Sequence, residues 1–199
     1  MSLLPESRVI AANEYRRVRW RNGLGWTREI ARFPDQDTWQ WRLSIAEIER
    51  DAPFSMFPGV DRELVLLQGN GLRLRFDNGQ VQTLQPPHER YRFAGERGLT
   101  GELVDGLTHD FNLMWRRDAI QAELLYRPLV GPMLFFAEPQ VTWAVHLLAG
   151  QARFDKSSGL PPMWMGDTAV LTATEGRQRF ALEGGGELLA IKLTSLEPP

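Results

Sequence analysis

The densest group of side chains able to bind or transform a ligand lies between Asn22 and Arg62. Amide, hydroxyl, carboxylate and guanidinium groups occur there among aromatic residues, at Asn22, Thr27, Glu29, Arg42, Ser55, Asp61 and Arg62. Apolar walls with a few directional polar groups are the usual make-up of a small-molecule pocket. The alternative is structural, with Asp61 and Arg62 pairing within a turn and Asn22 shaping a tight bend. For the cluster as a whole, the pocket is the better interpretation.

A second polar group lies farther along the chain, just before Leu113. Asp110 and Asn112 are two residues apart, so strand alternation sends both to one face, where they could reach a single ligand. His109 is one residue out of phase and is expected to face elsewhere. The alternative is that Asp110 and Asn112 only satisfy loop backbone groups.

No metal ligand set or activated nucleophile is recognisable. The three histidines, His88, His109 and His146, are isolated in the sequence, and no H-x-H pair is present. Ser55 lies outside any G-x-S-x-G elbow, so a hydrogen-bonding hydroxyl is its expected role. We therefore expect no metal and no cofactor.

Composition narrows the class of protein. The chain has 199 residues, 43% of them hydrophobic, no cysteine and a formal net charge of −2. The lack of cysteine removes thiol, disulfide and iron–sulfur chemistry, and the near-zero charge argues against nucleic acid as a partner. No run of residues has the length and apolarity of a membrane span, and the start lacks the features of a signal peptide. A cytoplasmic protein, as a monomer or homodimer, is the expectation.

The elements that position these groups are predicted to be short antiparallel strands. Apolar and polar residues alternate from Trp39 to Ile45 and from Leu72 to Phe76, which indicates strands. Turn signals follow at 69–71, 77–79, 86–87 and 184–186, and the first two are expected to form hairpins. Helical periodicity is almost absent. We predict an all-β fold with little helix.

The two halves of the chain follow a similar order of elements. LVLLQGNGLRLRF near residue 64 and VHLLAGQARF near residue 145 both resemble an apolar strand, a glycine turn and a second strand. Gly166-Asp167 is then expected to turn into another apolar strand. This order predicts an internal duplication of a β-sandwich unit. We expect a first barrel over residues 1–120 and a second over 121–199, with the boundary loosely placed among the prolines that follow residue 117.

Three sequence blocks resemble the signature of the HutD/Ves family, a branch of the cupin superfamily. They are WRNGLGWTREI from Trp20, WRLSIA through DAPFSMFPGVDR from Trp41 to Arg62, and LVDGLTHDFNLMWRR from Leu103 to Arg117. Their order and spacing agree with the family over about residues 10–195. Leu24 and Ala52 stand where the family usually has glycine.

The resemblance implies a double cupin (bicupin), two fused antiparallel jelly-roll barrels, and a link to bacterial histidine utilisation. Relatives look like sensors or limiters of pathway flux that bind a small carboxylate, with urocanate, formimino-glutamate and formyl-glutamate as candidates. For urocanate, Arg42 or Arg62 could bind the carboxylate, a tryptophan or phenylalanine could contact the imidazole ring, and Glu29 or Asp61 could accept the ring N–H.

Two hypotheses follow. The first is a metal-free binding protein for such a carboxylate. The second is a metal-free hydrolase or isomerase that uses Glu29 or Asp61 as a general base. A third possibility is a protein-interaction role in which the aromatic cluster is only core.

Overall fold

A computed structural model describes residues 6–197. Its strands in chain order are β1 (Arg8–Ile10), β2 (Arg16–Arg19), β3 (Gly25–Phe33), β4 (Trp41–Ile48), β5 (Ala52–Pro53), β6 (Val60–Gln68), β7 (Leu72–Phe76), β8 (Val81–Leu84), β9 (Arg90–Ala94), β10 (Leu99–Leu103), β11 (Thr108–Arg116), β12 (Ile120–Val130), β13 (Met133–Ala137), β14 (Val141–Phe154), β15 (Met163–Trp164), β16 (Thr168–Leu171) and β17 (Gln178–Ser195).

Helix is limited, within the described residues, to two three-residue 3₁₀ turns at Ala12–Glu14 and Lys156–Ser158. The paired strands are antiparallel throughout. The prediction of an all-β fold with little helix is confirmed. Its division into two complete cupin barrels stays a prediction.

The chain divides into two compact units. Arg16–Asp118 forms the central unit, and the segment up to Tyr15 together with the residues from Ala119 onward forms the terminal unit. Residues 6–15 belong to the terminal unit because β1 pairs with β16, with Val9 opposite Ala169. The boundary between two barrels, predicted at residues 120 and 121, stays a prediction.

The central unit is a sandwich of two sheets. One has six strands in the order β2-β3-β4-β11-β6-β9, and the other has four in the order β5-β10-β7-β8. Apolar side chains of both sheets form one core, which includes Leu64 and Leu66 of the first sheet and Leu72 and Leu74 of the second. Burial of these alternating apolar residues is what holds the two faces together.

The two glycine turns beside β7 differ in what they connect. Asn78-Gly79 closes the predicted hairpin, since β7 and β8 pair with Leu72 opposite Leu84. The hairpin predicted at 69–71 is wrong, because β6 and β7 belong to different sheets. Turn residues allow the chain to reverse, but burial of the apolar faces of β6 and β7 against each other decides that they stack rather than pair.

The terminal unit contains a seven-stranded sheet built around the long strands β14 and β17. The turn predicted at 184–186 is wrong, since these glycines lie inside β17. Likewise, Gly150 lies inside β14 instead of ending a strand. A Cβ atom at Gly150 or Gly186 would collide with a backbone carbonyl of the opposite strand, so glycine permits a close approach of the two backbones here. The turn predicted at Gly166-Asp167 is present and leads into β16.

Candidate functional site

The floor of the main cavity is one face of the six-stranded sheet in the central unit. Side chains two residues apart in a strand point to the same face, so neighbouring antiparallel strands can place their polar residues side by side. Ser44 lies directly opposite Asn112 in the β4–β11 pair. The inward-facing polar residues form what we call the polar stripe: Thr27 of β3, Arg42 and Ser44 of β4, Asn112 of β11 and Arg62 of β6.

The walls of the main cavity are largely aromatic. Phe54 and Phe57 line it from the segment after β5, and Trp20 lines it from the segment after β2. Trp20 packs edge-on against Phe54, with ring centroids 6.2 Å apart, and its Nε1 donates a hydrogen bond to Thr27 Oγ1 at 2.8 Å. The cavity volume is about 640 Å³, within the usual range for small-molecule sites.

Arg62 is the most deeply buried cation of the cavity, with 5% of the residue exposed. Its guanidinium lies 5.3 Å from the ring centroids of Phe54 and Phe93 and 5.6 Å from that of Phe57. Nη1 donates to the backbone oxygen of Ser55 at 3.3 Å, whereas Nε has no hydrogen-bond partner within residues 6–197. Burial lowers the pKa of Arg62 to about 10, so the side chain is still charged at neutral pH.

Asp110 occupies the next inward-facing position beyond Asn112 and is fully buried. Neither of its carboxylate oxygens has a hydrogen-bond partner in the part of the chain that the structure describes, and the same holds for Oδ1 of Asn112. Burial raises the pKa of Asp110 to about 7, with the charge of Arg62 acting in the opposite direction. Buried polar atoms without partners are uncommon in proteins, which marks this position as a candidate functional feature.

Arg42 connects the main cavity to a side cavity of about 300 Å³. Its Nε donates to Oε2 of Glu29 at 2.7 Å, which leaves its two terminal nitrogens for a ligand. Glu29 lines the side cavity but not the main one. Strand alternation left open whether Arg42 faces the interior or solvent, and the structure places it on the interior face.

Asp61 is not brought to either cavity. It precedes Arg62 in β6, and adjacent residues of a strand point to opposite faces. Its carboxylate oxygens lie 3.3 Å from Arg92 Nη2 and 2.9 Å from Arg117 Nη2. The placement of Asp61 in the ligand site is thus corrected: sequence adjacency to Arg62 separates the two side chains.

Asn22 and Ser55 lie at the edge of the main cavity. Asn22 Oδ1 accepts a hydrogen bond from the backbone N–H of Leu24 at 3.0 Å, so it shapes its loop as well as lining the cavity. Ser55 is exposed. The family's usual middle glycine is replaced by Leu24, whose φ is not positive; Gly23 carries the left-handed conformation with φ of 70°. Leu24 therefore places no strain on the loop.

Sequence reasoning missed several lining residues, above all Ser44 and Met114. Each is two residues from a predicted site residue on the same strand, Ser44 from Arg42 and Met114 from Asn112. Strand alternation alone was sufficient to find them.

The charged residues that line the main cavity are all positive. Four arginines, Arg19, Arg21, Arg42 and Arg62, contribute to the main cavity, and no carboxylate is among the described residues that line it. Such a site attracts anions, and guanidinium groups bind carboxylates in bidentate geometry.

The histidines do not assemble a site. His109 lies on the opposite face of β11 from Asp110, where burial lowers its pKa and Glu47 acts against that shift. His146 belongs to the terminal unit and its Nδ1 lies 2.9 Å from Thr168 Oγ1. No group of three or more potential metal ligands occurs among residues 6–197. None of the helical segments in that range has the length and apolarity of a membrane span.

The strands and their antiparallel pairing show an all-β protein with a ligand-sized cavity over one sheet face. Solved structures with a similar fold are cupin-fold proteins. The chain belongs to the HutD family, whose family model matches residues 12–190.

Three relatives illustrate the match. The solved structure of HutD from Pseudomonas fluorescens SBW25, in a formate condition, is 28% identical, has a TM-score of 0.82 and covers 96% of this chain and 100% of its own. An uncharacterised 21.2 kDa protein from the hutC 3' region of Pseudomonas putida is 37% identical over 69% of this chain and 77% of its own length. Protein Ves of Cronobacter sakazakii is 42% identical over 53% of this chain, and the match spans 58% of Ves.

Proposed function

We propose that this protein binds a small carboxylate metabolite, without a metal, in the main cavity of the central unit. The observation that carries the proposal is the lining itself: four arginines, of which Arg42 and Arg62 lie on the inward sheet face, and no carboxylate among the described residues line about 640 Å³ of space. A buried arginine costs free energy unless an anion compensates it, and a bound carboxylate would supply that compensation.

The chemistry of the cavity suits the candidate ligands. Arg62 and the terminal nitrogens of Arg42 would bind carboxylate oxygens, and the rings of Phe54 and Phe57 would contact a planar or apolar portion. Ser44 and Asn112 add neutral hydrogen-bonding groups for an imidazole, formyl or formimino group. Urocanate, formimino-glutamate and formyl-glutamate each combine a carboxylate with such a group.

The family relation supports a place in histidine utilisation. One relative is named HutD and another is named for the hutC region. On this basis we propose that the protein senses or limits the flux of that pathway through the bound intermediate; a cytoplasmic location is part of the proposal and comes from the sequence.

The alternative of a metal-free hydrolase or isomerase has less support. Oε2 of Glu29 is engaged by Arg42 at 2.7 Å, and Asp61 faces away from the cavity toward Arg92 and Arg117. Neither proposed base is therefore directed at a ligand in the main cavity. Turnover of a candidate that is lost in Glu29→Gln would favour this alternative.

The test is thermal unfolding with urocanate, N-formimino-L-glutamate, N-formyl-L-glutamate and histidine. A ligand at a hundred times its Kd stabilises the folded state by about 2.7 kcal/mol, which raises Tm measurably. We expect Arg42→Ala to weaken binding at least tenfold while the protein stays folded. The matched control is Arg73→Ala, which removes a half-exposed arginine of β7 outside the cavity and should leave the shift unchanged. Absence of any shift with all four compounds would contradict the proposal.

A further inference from the structure

Arg62 lines the main cavity, and a buried carboxylate, Asp110, lies on the same sheet face just beyond the lining without satisfying the hydrogen-bonding groups of that cation. Arg62 and Asp110 are 5% and 0% exposed, and Arg62 Nε and both oxygens of Asp110 lack hydrogen-bond partners within the described residues. Asp110 lies opposite Leu66 in the β11–β6 pair, whereas Arg62 lies opposite Met114. The two side chains thus lie on the same sheet face without a hydrogen bond between them, and they interact through the attraction between their charges.

We propose that Asp110 is a proton switch for the main cavity: an anionic ligand that binds Arg62 replaces Asp110 as the counter-charge of the guanidinium, and Asp110 then takes one proton from solvent. The inference rests on the proposed function, since it requires an anion at Arg62. It adds a regulatory property, namely that pH sets the affinity.

The physical reason is competition for a single positive charge in a poorly solvated place. In the free protein, Arg62 partly compensates an ionised Asp110. When a carboxylate binds Arg62, that compensation is shared, and the second anion repels Asp110 through a low-dielectric interior. An uncompensated buried carboxylate is costly, so protonation becomes the favoured state. Because the pKa of free Asp110 is about 7, this exchange falls in the physiological range.

Other ionisable groups around Asp110 are few. Apolar residues of the facing sheet, such as Leu72 and Leu74, belong to the same core as its cross-strand partners Ala46 and Leu66. His88 Nδ1 lies 3.2 Å from the backbone oxygen of Leu66. The charged residues at inward-facing positions of the six-stranded sheet are Arg16, Glu29, Arg32, Arg42, Arg62 and Asp110 itself. Of these, Arg62 is the one whose charge shifts the pKa of Asp110.

Formate is the appropriate probe, because it is a carboxylate with no other group that ionises between pH 5.5 and 9. We expect its affinity for the wild-type protein to be constant below about pH 6 and to weaken about tenfold per pH unit above about pH 8. Calorimetry at pH 8 in two buffers of different ionisation enthalpy should show uptake of nearly one proton per formate bound, a measurement that needs no variant.

Two variants separate the possible outcomes. Asp110→Asn should bind formate with less than twofold change from pH 5.5 to 9, whereas Asp61→Asn, a carboxylate on the opposite sheet face, should keep the wild-type pH dependence. Formate binding with no proton uptake and no pH dependence would overturn the switch and leave the anion site standing. Absence of formate binding at every pH would remove the anion site as well.

Discussion

The buried carboxylate of Asp110 makes a prediction about folding that is independent of any ligand. Its pKa is raised from 3.8 to about 7 in the folded protein, mainly by burial. Between these values the folded protein binds more protons than the unfolded chain, so the free energy of unfolding falls as pH rises. The full slope is about 1.4 kcal/mol per pH unit and falls off near each pKa, which gives a loss of about 3 kcal/mol between pH 4 and pH 7.

Asp110→Asn removes this titration and should flatten the curve. Urea unfolding of both proteins at pH 4, 5, 6, 7 and 8 gives the two free energies, and their difference is the readout. From pH 4 to pH 7 this difference in unfolding free energy should change by about 3 kcal/mol in favour of the variant.

Asp110 is a counter-charge of Arg62 only while it is ionised, so at pH 4 and pH 5 its loss removes no charge, and at higher pH the attraction is already contained in the pKa of Asp110. The slope therefore reports the titration of Asp110, and the offset at pH 4 reports the exchange of a protonated carboxyl for an amide. Asp37→Asn, which removes a carboxylate in a fully exposed side chain, is the control and should run parallel to the wild type. Parallel curves for Asp110→Asn within about 0.5 kcal/mol would refute the assignment of a buried, proton-binding carboxylate.

Three further predictions concern positions elsewhere in the fold. Gly101→Ala should lower both Tm and ligand affinity, because the new Cβ atom would lie 2.6 Å from Cε1 of Phe54, a wall of the main cavity; calorimetric titration with formate measures the second effect. Thr168→Val should cost about 1 kcal/mol in urea unfolding, since Tyr15 Oη lies 2.7 Å from Thr168 Oγ1, and an unchanged midpoint would contradict it. Leu24→Gly should change formate affinity less than twofold, because Leu24 does not line the main cavity; a larger change would show that this loop controls the site.

Strand alternation carried most of what could be predicted from the sequence. It indicated the strands that became β4 and β7 and required that Asp110 and Asn112 share a face. The wrong turn predictions came where the same local residues are compatible with more than one arrangement of strands. The glycines at 69–71 and at 78–79 favour the same kind of turn, yet one turn joins stacked sheets and the other joins paired strands. The distinction depends on which apolar faces meet, which is a property of distant residues.

The candidate site was predicted only in part for a related reason. Proximity in sequence grouped Asp61 with Arg62, whereas the pleat separates them. Ser44 was overlooked although the same pleat places it beside Asn112. The isolation of the Asp110 carboxylate depends on the register of β11 against both β4 and β6, and no local pattern specifies that register.

The polar stripe is hard to explain as a device for stability. The face of the sheet that carries it continues into an apolar core at Leu64 and Leu66, where the same strands bury leucine at no electrostatic cost. Buried ion pairs are often replaceable by apolar residues with a gain in stability, and a network with unpartnered atoms is worse than an apolar core. Arg62, Asp110 and Asn112 each keep such an atom. Their presence on one sheet face beside an arginine-lined cavity is therefore better accounted for by the proposed anion, and by the proton proposed to balance it, than by the folding of the sheet.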